Sequence, residues 1–178
     1  MGQRFIMTAF GQDRPGIVAD VTGILYENGC NLEDTSMTLL AGEFTLILLF
    51  TAGSADVAGP LSKACRRLEQ EKGISAFLRP LAPRESVKPG KAIFSSSLHV
   101  EGLDQAGIVY KVSRYLADHS INIVDLKSAV KASPESGTAM YVMDIRVQIP
   151  NDTDMDPLEK GLRTVADELN VDITLSGR

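Results

Sequence analysis

Only two of the 178 residues are cysteine, Cys30 and Cys65, and only two are histidine, His99 and His119. Neither cysteine has a close Cys or His neighbour, so the spacing of a metal site is missing. Both sit among apolar positions, where a reduced thiol packs as a small hydrophobe, and both are expected to be buried and free. Basic residues are also outnumbered: 18 Lys and Arg face 23 Asp and Glu, a net charge of −5. Phosphate binding draws on clustered Lys and Arg, so no direct nucleic-acid surface is expected. The longest apolar run, Phe44 to Phe50, falls far short of the roughly 20 residues a membrane-spanning helix needs. The first residues lack a basic segment followed by an apolar stretch. The expectation is a cytoplasmic protein with no membrane attachment.

Motifs of catalysis are missing as well. The sequence has no Walker loop and no dinucleotide fingerprint. Ser95 to Ser97 have neither an adjacent base nor the glycines of a nucleophile elbow. His99 and Glu101 stand two apart on a predicted strand and so point to one side, but no third ligand accompanies them, which argues against zinc-dependent deamination or hydrolysis. His119 falls near a predicted helix C-terminus, where capping or a surface position accounts for it. The run Asn151 to Asp156 lacks the glycine turn and distal Glu of a calcium loop and reads as a solvated helix start. Methionines such as Met37, Met140 and Met143 lie on strand patterns and read as packing. No catalytic residue, metal ligand or cofactor is predicted.

What the sequence does contain is a repeat. "DRPGIV", Asp13 to Val18, returns 91 positions later as "DQAGIV", Asp104 to Val109. From Gly11 to Asp34 that offset yields nine identities in 24 positions, where ordinary residue usage yields roughly one or two. Pro60-Leu61 then matches Pro157-Leu158 at an offset of 97, so the second copy holds six more residues. The turn-rich stretch Ala132 to Gly137 is the place for them. With 44% hydrophobic residues the chain can bury a real core. Two domains are predicted, residues 1–82 and 92–178, joined by a linker over 83–91 within the Pro- and Gly-bearing stretch "APRESVKPGK". The first domain holds 7 basic and 9 acidic side chains and the second 8 and 13, so neither is basic.

Hydrophobic period orders the elements of each copy. "RFIMTAF" reads as a strand; Ile17, Val18, Val21, Ile24 and Leu25 then recur at helical spacing, with Gly29 at the expected left-handed C-cap. "NLEDTSMTLL" and "FTLILLF" flank a short connection and predict a hairpin. Leu61, Ala64, Cys65 and Leu68 mark a second helix ending near Gly73, before an extended "ISAFLRPL". The second copy repeats the order, with Asp156-Pro157 as the start signal of its last helix. The fold class is therefore α+β: two ferredoxin-like βαββαβ units, each a four-stranded antiparallel sheet with two helices on one face. The bare sheet face and open edges favour pairing, either of the two copies with each other, which their fusion makes cheap, or of whole chains, and a homo-oligomer is expected.

Two tandem units of this kind, each with a D-x-x-G-[IV]-[IV] turn before its first helix and an Asn opening its second strand, resemble ACT domains, the small-molecule sensing modules of amino-acid metabolism. The match is strong in "DRPGIVADVTGILYENGCNLED" and weaker in "DQAGIVYKVSRYLADHSINIVD", where Ala106 replaces proline. By architecture and size the pair resembles the glycine cleavage system transcriptional repressor family. The resemblance implies a non-catalytic regulator that senses a small amino acid such as glycine and acts on a DNA-binding activator protein. It places candidate ligand contacts near the repeated turn and the start of strand two, between paired units: Asp13, Gly16, Ile17 and Asn31 in the first copy, Asp104, Gly107, Ile108 and Asn122 in the second. Pro15 stiffens the first turn and favours the first copy.

Physical chemistry allows this, since a helix N-terminus favours an amino acid's carboxylate and an Asn oxygen can accept from its ammonium. A purely structural account stands beside it. Asp13 and Asp104 would cap helices, Gly16 and Gly107 would permit tight helix packing, and Asn31 and Asn122 would settle the turn after the helix. Two further functions stay open at this point: a ligand-free interaction scaffold for a metabolic enzyme or regulator, and a detached regulatory part of an enzyme such as a deformylase or amino-acid kinase.

Overall fold

Period-2 alternation sets both sheets. In the computed structural model, which describes residues 2–53, 55–82, 92–133 and 137–177, Phe5, Met7 and Ala9 of β1 (Gln3–Gln12) enter the core. Phe44, Leu46, Leu48 and Phe50 of β3 (Glu43–Ala52) do the same from the neighbouring strand. β2 (Cys30–Leu40) pairs with the outer side of β3 and β4 (Ser75–Pro80) with that of β1, an antiparallel order of β2-β3-β1-β4. The helices α1 (Ile17–Glu27) and α2 (Ala58–Lys72) share this core through Ile17, Val21, Leu25, Leu61, Cys65 and Leu68. A single 3-10 turn, Ala55–Val57, leads into α2.

The second unit repeats the plan with β5 (Ile93–Leu103), α3 (Ile108–Asp118), β6 (Asn122–Ala132), β7 (Ala139–Pro150), α4 (Met155–Leu169) and β8 (Val171–Ser176), in the order β6-β7-β5-β8. Its core is built from Leu98, Val100, Val112, Leu116, Ile145 and Leu162 with their neighbours. The chain divides into two compact units, Met1–Val87 and Lys88–Arg178. The predicted linker over 83–91 lies outside the described residues, as do residues 134–136 of the stretch expected to hold the insertion. The βαββαβ order is as the hydrophobic periods predict.

Three local readings are corrected. Cys65 is buried, but Cys30, at the first position of an edge strand, is only half-buried; burial pushes both thiols up, Cys65 in the core and Cys30 at its margin. Helix α4 begins at Met155, ahead of Asp156-Pro157, because Asp154 is the N-cap and its carboxylate accepts the Asp156 N–H at 3.2 Å. Pro157 still fits in the first turn, where an N–H has no intrahelical acceptor. The turn after α1 is settled by Asn28, whose Nδ2 donates to the Ile24 carbonyl at 2.8 Å, together with Gly29 at φ 63°, and not by Asn31.

Candidate functional site

The repeated turn is a defined piece of backbone. Beyond β1 the Asp13 N–H donates to the Gly42 carbonyl at 2.9 Å, and the Ile17 N–H donates back to the Arg14 carbonyl at 3.3 Å. Gly16, at φ 88° and ψ −5°, takes the third place of that four-residue turn with Pro15 in the second, which is type II geometry. Gly107 adopts the same conformation, φ 99° and ψ −6°, after Ala106. An L side chain is strained at such a φ, yet a Cβ at either glycine would meet nothing within 4 Å. The glycines therefore answer to backbone conformation, and the tight-packing explanation is overturned.

Each glycine is also the residue on which the helix begins. The Asp20 N–H donates to the Gly16 carbonyl and the Lys111 N–H to the Gly107 carbonyl, both at 2.9 Å. The N–H groups of Val18 and Ala19, like those of Val109 and Tyr110, have no intrahelical acceptor. Asp13 and Asp104 do not cap these helices, for no side-chain cap bond forms at either N-cap. A cap bond comes from the N-cap side chain itself, and here that residue is glycine. Ile17 and Ile108 are core residues, 3% and 2% exposed, so only their backbone faces the helix start.

Within each unit the structure brings together the Asp, the Gly and the Ile of the predicted set and separates them from the Asn. Asn31 pairs with Thr51, which pairs with Arg4, whereas the turn follows Gln12 at the other end of β1. Eight residues of strand separate the two levels, roughly 27 Å at about 3.4 Å per residue. Asn122 is likewise level with Ser95, far from Leu103 and the Gly107 turn, and its Nδ2 donates to Gln148 Oε1 at 3.3 Å.

Charge around the two helix starts differs. Arg14 Nη2 reaches Asp20 Oδ2 at 2.5 Å, and Lys72 Nζ stands 3.9 Å from Oδ1. The Arg14 hydrogen bond holds the Asp20 carboxyl below the usual carboxylate range. The sequence does not single out Arg14; its only signal is its place beside Pro15, six residues before an acid. In the second unit Lys111 takes the place of Asp20 and lies 3.4 Å from Glu168, while Gln105 Nε2 donates to the Leu169 carbonyl. A cleft of about 220 Å³ between α1 and α2 is lined by Asp20, Gly23, Ala64, Arg67 and Lys72 among others, and by none of the predicted contacts. Its counterpart in the second unit is occupied by Tyr115, whose hydroxyl donates to the Leu158 carbonyl at 3.0 Å over Gly161.

His99 does lie on the same side as Glu101, with Nε2 3.6 Å from Oε2, but its closer partner is Asp144 on β7, 2.7 Å from Nδ1. Among the described residues no group of three His, Cys, Asp or Glu is placed to hold a metal ion. The Asp144 hydrogen bond raises the imidazole pKa above its ordinary value. Stabilisation from this pair is therefore complete below the unfolded value of about 6.5 and fades as pH climbs through the raised folded value. A proton NMR titration should find His99 titrating above that reference, and Asp144→Asn should bring it down. A titration unmoved by the substitution would refute the assignment. His119 closes α3, its Nδ1 2.8 Å from the Tyr115 carbonyl.

The duplicated turn, the strand orders and the two helices per sheet coincide with a known pattern: the ACT domain matches residues 3–78 and 98–176. The chain belongs to the ACT-domain family. This tandem ACT protein is 26% identical over 166 residues to the glycine cleavage system transcriptional repressor of Escherichia coli (strain K12), covering 93% of this chain and 85% of that protein. The crystal structure of an unknown protein from Galdieria sulphuraria is 30% identical, covers 99% of this chain and 98% of its own, and superposes with a TM-score of 0.80. A solved structure ascribed to a glycine cleavage system transcriptional repressor, 22% identical, gives a TM-score of 0.71 over 99% of this chain and 97% of its own, which speaks to the fold. Tandem ACT domains and the repressor similarity support a regulatory role. Among the described residues no helix is long and apolar enough to cross a membrane.

Proposed function

We propose that this tandem ACT protein is a non-catalytic cytoplasmic regulator that binds a small amino acid, glycine foremost, and conveys its occupancy to a DNA-binding activator protein. The observation that carries the reading is the pair of unobstructed, glycine-opened helix starts at Gly16 and Gly107. Their first-turn N–H groups suit a carboxylate, and the helix dipole contributes a few tenths to about 1 kcal/mol toward an anion there. Asp13 and Asp104, exposed beside those starts, suit the ammonium. Asn31 and Asn122 enter only as contributions from a neighbouring chain, since each lies at the far end of its own sheet. The first unit is favoured because Pro15 stiffens its turn and Arg14 neutralises Asp20. A net charge of −5 with neither half basic directs contact to protein and not to DNA.

Thermal unfolding of the full chain against each of the common amino acids tests this. A ligand that binds only the folded form at ten times its Kd stabilises by about 1.4 kcal/mol, and glycine is expected to do so. Gly16→Val should abolish the shift while Gly107→Val weakens it less. A flat response across the panel would eliminate the sensor.

A further inference from the structure

The bare faces of the two sheets differ in chemistry, although the repeat makes the units look alike. Residues paired across neighbouring strands share a face, so the register lays out rows. In the first unit one row runs Asp34, Leu49, Ile6, Arg79 over β2, β3, β1 and β4, and the next runs Ser36, Ile47, Thr8, Phe77. Phe77 stacks on Phe10 with ring centroids 5.9 Å apart and is still 65% exposed. Arg4, one row away, is neutralised by Glu33 at 2.7 Å. In the second unit the corresponding rows are Asp125, Arg146, Ser97, Ser176 and Lys127, Asp144, His99, Thr174. Those rows are polar, and four of their charged or titratable groups are paired on the spot, Arg146 with Asp125 at 3.7 Å and His99 with Asp144.

We propose that the bare face of the first sheet is the interface with a second copy of this chain, the two sheets packing face to face about a two-fold axis parallel to their strands. Such an axis reverses the strand order and keeps every row level. Arg79 of one copy then stands over Asp34 of the other, twice, and Ile6 stands over Leu49. The row bears opposite charges at its two ends and apolar side chains between them, so it is its own complement, as an isologous interface requires. Aligned packing of this kind is a normal mode for sheets. The polar rows of the second unit are no match, because covering the apolar centre with them would bury Lys127, Asp144 and Arg146 away from water. An exposed aromatic and aliphatic face needs a cover, and the cover that fits both its centre and its edges is itself. The arrangement leaves the glycine-opened helix starts and the sheet edges uncovered, so it stands independently of the amino-acid reading.

The test is sedimentation equilibrium on the full chain, with circular dichroism to verify folding. The wild type should sediment at twice 19.2 kDa. Asp34→Arg alone and Arg79→Asp alone each set like charges against each other at both edges and should raise the dimer dissociation constant at least about tenfold. An equimolar mixture of the two variants restores opposite charges across the axis and should recover the dimer, while Phe77→Glu should dissociate it, and mixing it with either charge-reversal variant should not restore it. A monomeric wild type, a dimer indifferent to the single reversals, or failure of the mixture to re-associate would each overturn the proposal.

Discussion

Replacing Phe50 by alanine should shift the first unit's melting transition well below that of the second unit, which should stay in place. Phe50 is fully buried at the end of β3, stacked on Phe5 at 5.6 Å between ring centroids. Truncating a buried phenylalanine costs roughly 3–5 kcal/mol, part lost transfer energy and part cavity. Against a typical domain stability of about 5–15 kcal/mol, that is a large share for a unit of this size. At about 4–8 °C per kcal/mol, the first unit's midpoint should fall by more than about 12 °C. The second unit is spared because its core draws on Leu98, Val112, Ile145 and their neighbours, and the first unit's core on none of them. Differential scanning calorimetry should resolve two transitions in the variant. A single peak displaced as a whole would mean that the two halves unfold as one cooperative body.

That prediction rests on elements that can be read from the sequence, because period-2 and period-3.6 patterns diverge within a few residues. Met7 and Ala9 alternate with Thr8 and Phe10, whereas Ile17, Val21 and Leu25 step by four, and the structure places them on strand and helix accordingly. What escapes such reading is anything decided by pairing register. Glu33 is the extra residue of a β-bulge between Leu32 and Asp34, and only this irregularity brings Asp34 into the row of Leu49, Ile6 and Arg79. The candidate site suffered similarly. Asn31 follows the turn by only 15 positions, but α1 runs back along the sheet and delivers Asn31 to its far end. The Asp of the motif suggests a cap; the cap position is decided by the φ of Gly16, three residues on. The repetition of the glycine was legible, but its reason was not: the positive φ at Gly16 and Gly107, and not close packing, is what calls for a residue without a Cβ.

The glycines shared by the two copies serve two different physical ends, and substitution should separate them. Gly102 of β5 faces Val171 of β8, and a Cβ there would lie 2.6 Å from Val171 Cγ1, 2.9 Å from its Cβ and 3.0 Å from its Cα. The side chain can rotate away, but Cβ and Cα are fixed by the strand, so Gly102→Ala forces the backbones of β5 and β8 apart. Overpacking of this kind costs up to about 3 kcal/mol, and the loss should fall on the second unit alone. Gly11→Ala in the first unit should cost less, since its nearest obstacle is the Gly73 carbonyl at 3.0 Å, followed by Ile74 Cα at 3.5 Å. Gly16→Ala meets no atom and pays only the left-handed strain of roughly 1–2 kcal/mol. Urea denaturation of the three variants should therefore rank Gly102→Ala as the most damaging, and its cost should shrink in a Val171→Gly background, which removes the Cβ along with the γ carbons, while the cost of Gly16→Ala stays the same there. Equal losses at Gly102 and Gly16, or no coupling between positions 102 and 171, would show that the close crossing of β5 and β8 is not what keeps a glycine there.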